Sequence, residues 1–98
     1  MPNILLESLK KTYTNVLEIA ERKNADYAGD SDPFKNFKMC EQYNVPVERG
    51  ILVRISDKLS RVSNLLNQEA KVKDESIYDT IDDAINYLAI LKAYIENR

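Results

Sequence analysis

Two charge patterns hold most of the side chains in this sequence that could do chemistry. Between Asp74 and Asp83 lie five acidic residues and no basic one, with Asn86 just beyond. Upstream, Arg54, Asp57, Lys58 and Arg61 are three, four and seven residues apart, which puts them on one side of a helix. A dense run of acids repels itself unless a cation, or the facing Arg54, Lys58 and Arg61, offsets the charge. Forked guanidinium groups are also effective partners for phosphate. A plainer reading stands beside these, because charged residues on an amphipathic helix are commonly its solvated side. Glu75 and Asp79 further suit the first turn of a helix, and Ser76 with Asp79 fits a capping box. Asp82 and Asp83 sit beyond that turn, so this explanation does not reach them. The basic residues could equally be salt-bridge partners of the acids.

A second concentration lies between Ala25 and Asn44. Asp26 and Tyr27 precede a turn-forming cluster, Ala28 to Pro33, which is followed by Phe34, Asn36 and Phe37. Rings can stack on a base and amides can read its edge, with Arg49, Arg54 and Arg61 available to phosphates. The alternative is that Phe34 and Phe37 close the end of a helical core. Cys40, beside Met39, reads as a small buried hydrophobe, since no histidine exists to activate it.

Composition narrows the chemistry. The chain has 98 residues, no histidine, one cysteine and two glycines. That excludes imidazole metal sites and the usual triads, an internal disulfide, a zinc cage and a glycine-rich phosphate loop. Any metal would be oxygen-ligated, most readily Mg²⁺ or Mn²⁺. A net charge of −2 argues against a bulk nucleic-acid binder. No apolar run suggests a membrane span, no secretory signal opens the sequence, and the lone cysteine fits a reducing cytoplasm.

The elements that must position these groups are helices. Leu5, Leu6, Leu9, Tyr13, Val16, Leu17 and Ala20 recur at helical spacing, predicting a helix from Asn3, its N-cap, to about Lys23. A short helix is expected from Phe34 to about Tyr43, opened by Asp32-Pro33. A second long helix should run from Pro46 to about Asn67, with Ile51, Leu52, Ile55, Leu59, Val62 and Leu66 inward. After a polar connection from Gln68 to Asp74, a third should occupy Glu75 to Glu96. Its inward stripe would be Ile77, Ile81, Ala84, Ile85, Leu88, Leu91 and Ile95. The expected fold is one all-α domain whose last two long helices form an antiparallel hairpin. Tyr13, Tyr43, Tyr78 and Tyr94 could lie in the core or at subunit contacts. A domain this small buries a modest core, and assembly into a homo-oligomer would bury more.

Four motifs in order resemble the phage and bacterial nucleotide modification associated domain family. They are Lys23-Asn24-Ala25-Asp26-Tyr27, Asp32 to Phe37 (DPFKNF), Gly50 to Arg61 (GILVRISDKLSR) and Glu75 to Tyr87 (ESIYDTIDDAINY). That family is similar to the all-α MazG-like nucleoside triphosphate pyrophosphohydrolases, which bind Mg²⁺ through acids on two adjacent helices. They cleave nucleotides between the α and β phosphates. Their metal motif is Glu-x-x-Glu on one helix and Glu-x-x-Asp on the next. Here Asp83 matches the final aspartate, Thr80 falls at its partner position, and Asp57 is the only acid on the second helix. Ser60 or Arg61 stands where a second glutamate is expected. The resemblance implies Mg²⁺ held by Asp57, Asp79 and Asp83, joined by Glu75 in a hydrolase. It implies a ligand site from Lys23, Asp26, Tyr27, Phe34, Asn36, Phe37, Arg49, Arg54, Lys58, Arg61 and Asn86.

The loss of metal ligands and gain of positive charge favour a protein that holds a nucleotide. In a phage this would suit a sponge in the host cytoplasm for a cyclic or signalling nucleotide of host defence. The alternative is Mg²⁺-dependent hydrolysis of a free or modified nucleotide, with Arg54, Lys58 and Arg61 stabilising phosphate charge. A third possibility is a helical module whose charged faces serve assembly alone.

Overall fold

The computed structural model describes residues 3–26, 34–68 and 75–98, without the side chains of residues 24–26, 75 and 76. All its elements are helical: α1 (Ile4–Asp26), α2 (Lys35–Lys38), a 3₁₀ segment (Met39–Tyr43), α3 (Val47–Leu66) and α4 (Glu75–Asn97). The chain is all-α, as the apolar spacing predicts.

Local chemistry sets several of the boundaries. Asn3 caps α1 as expected, its Oδ1 accepting from the Leu6 amide at 3.0 Å. Pro46, with φ −59° and ψ 148°, stands just outside α3, and Asn67 closes it. The short helix expected over Phe34–Tyr43 is divided into one α turn and a 3₁₀ segment. Asn44 ends it in the left-handed region at φ 61°, which asparagine tolerates better than most residues. The predicted Asp32-Pro33 start lies outside the described residues.

α3 and α4 pair antiparallel. At one end Arg98 Nη1 meets Glu48 Oε2 at 2.6 Å, and at the other Arg61 Nε donates to Thr80 Oγ1 at 3.2 Å. Between them lies the core: Val47, Ile51 and Ile55 of α3, surrounded by Phe37, Tyr87, Ile90, Leu91 and Tyr94. α1 packs on the other edge of α4, where Val16 is buried.

The structure corrects the expected inward stripes. Val16 alone of the seven α1 positions is buried, with Leu5, Leu6, Tyr13 and Leu17 exposed. On α3, Leu52, Leu59 and Leu66 face outward; on α4, Ile81, Leu88 and Ile95 do. The apolar arcs are wider than the contacts these helices make, so their flanks are left uncovered. Tyr13, Tyr43 and Tyr78 are exposed, while Tyr94 is half-buried in the core.

Gly50 is where the 3₁₀ segment meets α3. A Cβ there would lie 2.6 Å from Cys40 Sγ and 3.3 Å from Cys40 Cβ. Overpacking of this kind costs about 1–3 kcal/mol, against a helix-propensity gain of about 1 kcal/mol for alanine over glycine. Gly50→Ala is therefore expected to lower stability in urea denaturation, with a smaller penalty in a Cys40→Ala background. An equal penalty in both backgrounds would contradict the contact. Cys40 itself is half-buried, in keeping with its expected packing role.

Candidate functional site

Thr80, Asp83 and Asn86 follow one another at three-residue steps, and Tyr87 lies four residues beyond Asp83, forming an edge of α4. Because α3 runs the opposite way, its own edge of Arg61, Lys58 and Arg54 meets this ladder in reverse order. Arg61 reaches Thr80, and Lys58 Nζ lies 3.1 Å from Asp83 Oδ2. α1 completes the arrangement. Lys23 Nζ lies 3.9 Å from Asp83 Oδ1, Asn15 Nδ2 donates to Asp82 Oδ2 at 2.7 Å, and Asn86 Nδ2 donates to the Val16 carbonyl at 3.2 Å.

These contacts differ in strength. Lys58 and Asp83 are each about 30% exposed, so water screens their pair only partly. Lys23 is 62% exposed and at the limit of ion-pair distance, a geometry that contributes little to stability. Its ammonium remains largely solvated and can turn to another anion. Thr80 is buried, and Arg61 is one partner of its hydroxyl. Two ammonium groups thus share one carboxylate.

The aromatic residues sit at the next level of the hairpin. Phe37 meets Tyr87 edge-on with ring centroids 6.2 Å apart, and Phe34 meets Tyr94 in the same manner at 5.4 Å. Phe34 and Phe37 thus take the core-closing position that the sequence allowed, fastening the 34–43 segment to α4. Tyr87 is one helical turn from Asp83, so the ring cluster borders the charged edge.

Of the residues expected to bind a ligand, Lys23, Lys58, Arg61 and Asn86 gather on this edge together with Asp83. Arg54 is on the same side of α3 and exposed, while Asn36 is exposed on α2. Arg49 lies nine residues before Lys58, about 13 Å along the helix axis. The Asp26 side chain and Tyr27 lie outside the described residues. Among the described residues no three histidine, cysteine or carboxylate side chains come together where they could hold a metal ion. Asp57 and Asp79 are exposed, and both Asp83 oxygens face lysines. The Glu75 side chain, the fourth expected ligand, is outside the description.

The sequence did not point to the Asn15–Asp82 pair or to Tyr87, and offered Thr80 only at the partner position of the metal motif. The three-residue spacing of Thr80, Asp83 and Asn86 was the available signal. No family model, curated protein or solved structure matches this chain. Among the described residues, no helix is long and apolar enough to cross a membrane.

Proposed function

We propose that this chain is a MazG-like nucleotide-binding protein that holds its ligand without turning it over. In the same reading it is a phage sponge, acting as a homo-oligomer in the host cytoplasm on a cyclic or signalling nucleotide of defence. One observation supports the binding reading most: Lys58 and Lys23, from two different helices, converge on Asp83 one turn from the Phe37–Tyr87 rings. Asp83 holds the two ammonium groups close together, and a phosphate approaching from solvent meets donors already gathered. Arg61, held at Thr80, adds a guanidinium on the same edge, and the neighbouring rings offer apolar surface to a base. The sponge reading draws on the sequence resemblance alone.

The test is incubation of the full chain with nucleoside triphosphates and cyclic oligonucleotides, with Mg²⁺ or with EDTA. The protein is then denatured and the released compounds analysed. Intact ligand recovered under both conditions is the expected result. Pyrophosphate release abolished by EDTA would replace this reading with hydrolysis. Neither retention nor turnover across the panel would leave the charged faces to assembly.

A further inference from the structure

Val16 is buried where α1 packs on α4, so its chain neighbours Asn15 and Leu17 lie about 100° to either side of that contact. Asn15 donates to Asp82. Asp82 lies roughly 160–180° around α4 from Thr80 and Leu91, which face α3. The Asn15 flank of α1 is therefore turned away from α3. The opposite flank, carrying Leu17 and, one turn earlier, Tyr13, is turned toward it. Asp83 lies between the two helices, since it meets Lys23 of α1 and Lys58 of α3. α1, α4 and α3 thus line a groove with Asp83 on its floor.

The groove has a charged end and an apolar end. Lys23 reaches Asp83, while Val16, seven residues earlier, meets Asn86, so α1 runs antiparallel to α4. Tyr13, three residues before Val16, is therefore level with the Tyr87–Ile90 stretch of α4. That stretch is four to seven residues beyond Asp83, or about 6–10 Å along the helix, a separation that one sugar spans. Phe37 packs on Tyr87 from the α3 side at the same level. Phe34 and Phe37 are held edge-on by Tyr94 and Tyr87, whereas Tyr13 and Leu17 are 60% and 59% exposed.

We infer that Tyr13 is the base-stacking residue of this groove. The phosphates of a nucleotide sit at Lys58 and Lys23, its base lies on the Tyr13 ring, and Leu17 flanks the sugar between them. Tyrosine suits this place because a flat ring with few torsions to fix offers contact area at small entropic cost. A stack of this kind accepts any base, since each has a π-face.

The inference rests on nucleotide binding at the Asp83 edge, and the choice of probes keeps the two apart. Adenosine triphosphate, cyclic di-adenylate and inorganic tripolyphosphate are titrated into the full chain by calorimetry. Tyr13→Ala should weaken whichever nucleotide the wild type binds about tenfold, within the range of base–aromatic stacks, and leave tripolyphosphate binding unchanged. Tyr13→Phe should keep the nucleotide affinity. Tyr78→Ala removes a ring 62% exposed on the Asp82 flank of α4 and should bind as the wild type does. Unchanged nucleotide affinity in Tyr13→Ala, or an equal loss for tripolyphosphate, would overturn the stack and leave nucleotide binding standing. A wild type that binds neither nucleotide would contradict both. Should Tyr13→Ala not fold, Tyr13→Trp supplies a lone tryptophan to a chain that has none. Its fluorescence should be quenched by nucleotide and not by tripolyphosphate, and no quenching by a bound nucleotide would overturn the stack.

Discussion

Ile51→Ala is expected to destabilise the chain by about 3 kcal/mol, within the 2–5 kcal/mol typical of such truncations in packed cores. Ile51 has no exposed surface and lies between Val47 and Ile55. Phe37, Tyr87, Ile90, Leu91 and Tyr94 pack around that cluster from two other segments. Alanine there would leave a cavity whose walls are fixed by the ring contacts and by the α3–α4 pairing. Against a total stability of about 5–15 kcal/mol for ordinary domains, this is a large fraction. Urea denaturation at fixed protein concentration should show a lowered midpoint with an unchanged slope. Leu17→Ala removes a similar volume from a side chain that is 59% exposed, and should cost less than about 1 kcal/mol. Equal losses at the two positions would contradict the assignment of the core.

Lys58→Ala is expected to weaken nucleotide binding at least tenfold, corresponding to about 1.4 kcal/mol, while altering stability far less than Ile51→Ala. Lys58 is the less exposed of the two ammonium groups on Asp83 and the one at hydrogen-bonding distance. Lys11→Ala, on the exposed surface of α1, serves as the control and should bind as the wild type does. Asp83→Asn separates the two chemistries. Its amide oxygen can still accept from Lys58 and Lys23 and keep them gathered, while the charge with which phosphate competes is gone, so a binding protein should lose little or no affinity. A metal-dependent hydrolase should instead lose turnover. The effect of Lys58→Ala on binding should shrink as salt is raised, because the pair is partly open to solvent. Titration calorimetry at two salt concentrations reads all of these outcomes. Unchanged affinity in Lys58→Ala would remove Lys58 from the site.

Local chemistry was legible in the sequence to the extent that a residue's neighbours in the chain determine it. Asn3 as a cap, Pro46 before α3 and Asn67 after it follow from capping and backbone preferences that act within a single turn. The face shared by Arg54, Lys58 and Arg61 follows from helical spacing. What covers an apolar stripe is a different matter. Leu52, Leu59 and Leu66 have the same periodicity as Ile51 and Ile55, and only the packing partner separates outward from inward. The Arg61–Thr80 and Lys58–Asp83 contacts depend on the register of two helices joined by a segment whose sequence does not encode it. Gly50 gave no sign of its closeness to Cys40, because that approach comes from tertiary packing. Phe34 and Phe37 were readable as core-closing rings, but their partners Tyr94 and Tyr87 lie far along the chain.

The most direct measurement of the binding claim is a ¹H–¹⁵N chemical-shift titration of the full chain with each nucleotide of the panel. A bound nucleotide should move resonances of Lys58 and Arg61 on α3, and of Asp83 to Tyr87 on α4, together with Lys23. Resonances on the Leu59–Leu88 side of the hairpin should stay in place. No response to any ligand, or responses confined to the Arg49 end of α3, would contradict a nucleotide site built around the Lys23–Asp83–Lys58 cluster.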